Sequence, residues 1–319
     1  MMSVDTSGFQ GQTLDKVERL MDLLAELKRH PDLEGKLCMH GGTAINLFML
    51  DVPRLSVDID LSYIGAAERE KMLADRPLIE AKIEAAANYA GYIVSASKEE
   101  HAGRTFRLRY KGDWGSDQIK IDVIYLNRSP LMLPEFKTCY LRPELEILMF
   151  SDFELIAGKV KALFDRVAVR DIYDIFRLKQ YLDERLVKHS EQSDLCHKII
   201  LYYAALSAHF PHSFEGRIEE RFSNKESELT TQLYPMLRND ERPTLTELIE
   251  VATLFVRDYV LPKDDNEQAY LSHFARADYQ PQLLFGNYPE VLKSAQVNPE
   301  ALWKLQNLQK MTDNYPRKM

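Results

Sequence analysis

The stretch Arg54-Leu55-Ser56-Val57-Asp58-Ile59-Asp60-Leu61 alternates polar and apolar residues without a break. Such alternation marks a half-buried strand, so Leu55 to Tyr63 is predicted to be one. Side chains two apart on a strand share a face, which sets Ser56, Asp58, Asp60 and Ser62 on one side and Leu55, Val57, Ile59 and Leu61 on the other. Two carboxylates placed this way repel, and each raises the other's pKa. A divalent cation removes the conflict, and magnesium or manganese prefers carboxylate oxygen.

Just upstream, Lys36-Leu37-Cys38-Met39 reads as a short strand, and Gly41-Gly42 as a tight turn. Thr43 to Leu50 then suits a short buried helix, ended by Pro53. Two glycines at a helix start leave backbone N–H groups bare, a site for phosphate. Asp-x-Asp alone is common in loops, and Gly-Gly alone is usually just a turn. In this order and on these elements they form a phosphate cradle beside a metal-binding carboxylate pair, the equipment for phosphoryl or nucleotidyl transfer.

Elsewhere, residues 13 to 29 have the spacing of an amphipathic helix. Ala66 to Gly91 is helical, with Pro77 expected to break it and Gly91 to cap it. Three strands follow at Tyr92–Ser97, Thr105–Tyr110 and Gln118–Leu126, the last two joined by the loop Lys111 to Ser116. Asp122 stands in mid-strand, sharing a face with Lys120 and Ile124, where Asp is disfavoured. A third carboxylate facing Asp58 and Asp60 explains it better than a structural Asp. Glu144 to Phe150 reads as a strand or short helix. Beyond it nearly every segment reads as helix, with capping boxes at Ser151/Glu154 and Thr244/Glu247. The tail from Thr312 to Met319 is expected to fray. The fold class is therefore α/β (α+β): a nucleotidyltransferase-type core with a mixed sheet over 1–150, then an all-helical domain over 151–319.

Of the helical residues, Lys159 is flanked by small neighbours in Ala157-Gly158-Lys159-Val160. A mid-helix glycine costs about 1 kcal/mol relative to alanine. Gly158 is read as allowing close approach of a ligand or another element, with Lys159 reaching a triphosphate. Arg170 and Asp174 could pair on a helix surface, or Asp174 could face the site and orient Lys159.

Gly41-Gly42-Thr43 followed by Arg54-x-Ser56-x-Asp58-x-Asp60 resembles the first motif of the polymerase-β-like nucleotidyltransferases. With Asp122, Lys159 and Arg170-Asp171-x-x-Asp174 the chain is similar over about 35–182 to the AbiEii/AbiGii toxin family. The resemblance implies a toxin of a bacterial toxin–antitoxin or abortive-infection (phage-defence) system. It implies a magnesium-dependent nucleotidyltransferase that uses a nucleoside triphosphate, with the 3′ end of tRNA as acceptor and a cognate antitoxin encoded nearby. On that reading Asp58, Asp60 and Asp122 bind metal, and Gly41, Gly42, Thr43 and Ser56 hold phosphates. Lys159 neutralises the triphosphate and Asp174 orients it.

Composition constrains this. The 319 residues suffice for two cores, no apolar run is long enough to span a bilayer, and the N-terminus lacks a signal core. Three scattered cysteines give neither zinc spacing nor a disulfide framework, which fits the cytoplasm. The net charge of −8 argues against a general nucleic-acid coat protein and leaves room for RNA at a local basic patch. The alternatives are a nucleotidyltransferase acting on a protein or small molecule, a non-catalytic nucleotide-binding module, and a metal-dependent nuclease.

Overall fold

The first apolar periodicity forms α1 (Gly11–Lys28), which buries Val17, Leu20, Met21, Leu23, Leu24 and Leu27. The structure is a computed structural model describing residues 4–97, 100, 102–186, 190–214, 217–222 and 224–313. The fraying expected of the tail lies outside these residues from 314 onward. The chain divides into two compact units, Met1–Ser151 with Thr230–Arg242, and Asp152–Leu229 with Pro243–Met319.

In the first unit, β1 (Leu37–His40) leads directly into α2 (Gly41–Ala44), which continues as a π turn over Ile45–Met49. Then come β2 (Asp58–Tyr63), α3 (Arg69–Tyr89), β3 (Ile93–Ala96), β4 (Gly103–Gly112), β5 (Gly115–Ile124), β6 (Glu135–Thr138) and β7 (Glu146–Met149). The seven strands make one mixed sheet in the order β3-β4-β5-β2-β1-β7-β6. β2 runs parallel to β5 and antiparallel to β1, and β4 is antiparallel to β5.

The face bearing Ile59, Leu61, Ile119, Ile121, Val123, Phe106 and Leu108 is buried. Helices α1 and α3 lie against it: Arg19 sits over the Tyr110 ring and Arg76 over the Tyr125 ring. Pro77 does not break α3, contrary to expectation. Proline removes only one helical hydrogen bond. Here buried Arg76 and Glu80 pair across that point at 2.7 Å, and Arg76 also donates to the Gly103 carbonyl. Gly91, at φ +84°, follows the helix as expected. β4 and β5 run further than predicted, to a tight hairpin at Asp113-Trp114.

The second unit is helical: α4 (Asp152–Asp165), α5 (Val169–Arg185), α6 (Glu191–Ala205), then helices over Leu245–Tyr259, Asp265–Ala275, Pro289–Gln296 and Pro299–Asp313. Thr244 and Glu247 form the predicted capping box. Tyr202, Tyr270, Phe274 and Phe285 make its aromatic core. Residues 230–242 depart from the helical reading. They hold only the end of a π turn, Leu229–Leu233, and a 3-10 turn, Tyr234–Met236, with Pro235 inside it, and the segment packs in the first unit. All three cysteines are free and buried. Among the described residues no helix is long and apolar enough to cross a membrane.

Candidate active site

The register of four neighbouring strands builds the site. His40 on β1 stands opposite Asp60 on β2, Asp60 opposite Asp122 on β5, and Asp122 opposite Thr105 on β4. Neighbouring strands lie ~4.8 Å apart, and residues in register point to the same side. The next row holds Asp58, Lys120 and Arg107. The alternation around Asp60 and the odd mid-strand Asp122 thus fall on one polar face, as the sequence predicts.

The glycine turn is pressed against this row. Gly41 adopts φ +76°, and a Cβ on it would stand 2.0 Å from Asp60 Oδ2. Only glycine lets the chain turn this close to the carboxylate. A Cβ on Gly42 would meet Arg54 Nη2 at 2.9 Å and Ser56 Oγ at 3.2 Å, so Ser56 also lies beside the turn. Buried Thr43 donates its hydroxyl to the Asp58 carbonyl and ties α2 to β2. Asn46 donates to the Gly42 carbonyl at 2.9 Å, and His40 stacks on Phe150.

Asp122 accepts at Oδ1 from the Thr105 hydroxyl at 2.6 Å, and at Oδ2 it pairs with Lys120. Among the described residues no group of three or more His, Cys, Asp or Glu side chains converges tightly enough to hold a metal ion. The donor chemistry nevertheless fits a hard divalent cation: oxygen carboxylates, two of them in register on adjacent strands. The Lys120 ammonium supplies positive charge at Asp122, a role a bound cation would take over.

Lys159 and Asp174 lie in the helical unit and contact each other. The Lys159 ammonium sits 2.9 Å from Asp171 and 2.8 Å from Asp174, and the three side chains are 4%, 1% and 0% exposed. Asp174 therefore pairs with Lys159, and Arg166 reaches Asp171 at 2.8 Å. Burial alone would raise the Asp171 carboxyl, but Lys159 and Arg166 outweigh it and hold it below its ordinary range. Gly158 is exposed, with open space where a Cβ would go, so no close approach explains it.

Comparison with known proteins agrees with the geometry. The pattern of the nucleotidyl transferase AbiEii toxins of type IV toxin–antitoxin systems matches residues 22–254. The chain belongs to the AbiEii toxin family. Two solved structures share its fold. MenT4, a nucleotidyltransferase toxin of Mycobacterium tuberculosis H37Rv, is 16% identical, with a TM-score of 0.52 over 89% of this chain and 92% of that one. A nucleotidyltransferase candidate from H. pylori is 16% identical, with a TM-score of 0.50 over 78% of this chain and 95% of its own. No curated protein matches the sequence.

Sequence reasoning on this AbiEii toxin missed three supports. Thr105 and Lys120 were visible as strand residues, yet their strand partners were not. The third is the return segment: Leu55 N donates to the Met236 carbonyl at 2.8 Å, and Arg238 lies over the Phe9 ring and donates to the Val52 carbonyl. It fixes the loop that carries Arg54 and Ser56 in this AbiEii toxin from 180 or so residues downstream, and no local pattern signals such a contact.

Proposed function

We propose that this toxin transfers a nucleoside monophosphate from a nucleoside triphosphate to the 3′ end of tRNA. Asp58, Asp60 and Asp122 would hold magnesium or manganese. The single observation that carries the reading is the Gly41 turn pressed onto Asp60, with Asp122 in register beside it. A backbone bend this close to a carboxylate row brings N–H groups for a phosphate next to oxygens for its counter-ion.

Gly41, Gly42, Thr43 and Ser56 cradle the triphosphate tail. The acceptor 3′ hydroxyl oxygen bonds to the α-phosphorus as the bond to pyrophosphate breaks, and the hydroxyl proton passes to the Asp122 carboxylate as general base. The cation, when bound, offsets charge on the triphosphate and on departing pyrophosphate. Blocking the tRNA end halts translation, which accounts for a cytoplasmic toxin kept in check by an antitoxin encoded beside it.

The test is to incubate the protein with each α-labelled nucleoside triphosphate, magnesium, total cell RNA and total cell protein. Label at tRNA 3′ ends supports the reading. Label in protein moves the acceptor to a polypeptide, and bound but unconverted nucleotide points to a sensor.

A further inference from the structure

The polar face does not end at the carboxylates. Moving along β4 and β5 away from Asp122, the same-face positions are Arg107, Arg109 and Lys111 on β4, with Ser116, Gln118 and Lys120 opposite them on β5. Ile93 and Ser95 of β3 extend the face to the sheet edge. No acidic side chain stands among these eight positions. The acidic residue nearest in sequence on β5, Asp117, turns to the other face and pairs there with Lys16 of α1 at 3.1 Å. Arg107, Arg109 and Lys111 are exposed and pair with no described carboxylate.

This is a concentration of cations on a chain whose net charge is −8. An acidic protein that holds three long cationic side chains on one exposed strand face, at ~7 Å intervals and with no carboxylate partner among the described residues, matches a regularly spaced polyanion. Continuity fixes its direction. Arg107 is two residues from Thr105, whose hydroxyl holds Asp122, so the cationic row leads straight to the carboxylate row.

We propose that the open face of β3, β4 and β5 docks the phosphate backbone of the RNA acceptor through Arg107, Arg109 and Lys111, and so leads its 3′ end to Asp122. This rests on the reading of an RNA acceptor given above. The contacts are to phosphates and carry no base sequence; they set the path of the strand.

The experiment is equilibrium binding of labelled tRNA to the full chain without nucleotide, over a salt series, for wild type and for R107Q/R109Q/K111Q. Each phosphate contact adds about 0.7–0.9 to the salt slope. The triple variant is expected to lose about 2 from the slope and about tenfold or more in affinity at about 0.1 M salt, with an unchanged melting curve. Equal affinity and slope in the two proteins would overturn the proposal, as would loss of binding to an acidic protein partner with tRNA binding intact. RNA retained by a wild-type chain that transfers no nucleotide counts against the reaction and not this surface. Transfer to tRNA with an unaffected triple variant removes this surface and leaves the reaction standing.

Discussion

Gly41 and Asp60 occupy space that leaves no room for a side chain between them: a Cβ on the glycine would be 2.0 Å from the carboxylate oxygen and 2.7 Å from its carbon. The backbone there is also left-handed, at φ +76°. Gly41→Ala therefore carries two penalties, a conformational one of ~1 kcal/mol and displacement of Asp60. The expected result is loss of nucleotide transfer greater than the fall in stability explains. Urea unfolding and transfer assays on the same preparation check it.

A cation held by Asp122, as proposed above, would compete with the Lys120–Asp122 pair. Lys120 is 41% exposed, which limits the pair to ~1 kcal/mol or less. Lys120→Gln should lower the magnesium midpoint for transfer by up to about fivefold. Magnesium titration of the reaction rate measures it, and an unchanged or raised midpoint would place Lys120 outside the competition.

Lys159 has a heavier structural duty than a surface lysine. Its ammonium separates two buried carboxylates, Asp171 and Asp174. Lys159→Ala leaves those charges uncompensated and should cost about 3–5 kcal/mol. Loss of toxicity in that variant is informative about triphosphate binding only when unfolding curves accompany it. Asp171 adds an acid dependence: its folded pKa is depressed, so its contribution is present above the unfolded value and fades as pH falls through the folded one.

Glu267 gives the clearest pH window. Burial would raise its pKa, but hydrogen bonds from His197 at 2.9 Å, Lys198 at 3.1 Å and the Lys263 amide at 2.6 Å bring it down to about 2. A depressed carboxylate stabilises the fold above its unfolded pKa, near 4.5, and this is lost as pH falls toward 2. The full contribution is ~3 kcal/mol, of which ~2 kcal/mol is gone by pH 3. Urea midpoints from pH 7 to pH 3 should drop accordingly, and the Glu267→Gln variant should show a flatter acid limb.

The legible parts of this protein were local. Alternation at Asp58 and Asp60, the glycine turn, the mid-strand Asp122 and the Thr244 capping box each announce themselves within a few residues. What escaped depends on partners far along the chain. β6 is four residues with no alternation of burial, so no periodic signal marked it. Pro77 reads as a break because the hydrogen bonds that anchor Arg76 beside it, to the Glu100 and Gly103 carbonyls, come from residues more than twenty positions away. The hydrogen bond from the Leu55 amide to the Met236 carbonyl joins segments far apart in the chain, which no local pattern marks. Gly158 suggests close approach from its neighbours in sequence, yet a Cβ there would meet open space.

The central claim is that the β2–β5 carboxylate row transfers nucleotide, and magnesium-dependent incorporation of α-labelled nucleotide into tRNA by Asp60→Asn, beside wild type, tests it most directly. The account predicts label at the tRNA 3′ end with wild type and essentially none with a folded variant. Equal labelling by the two proteins would contradict it.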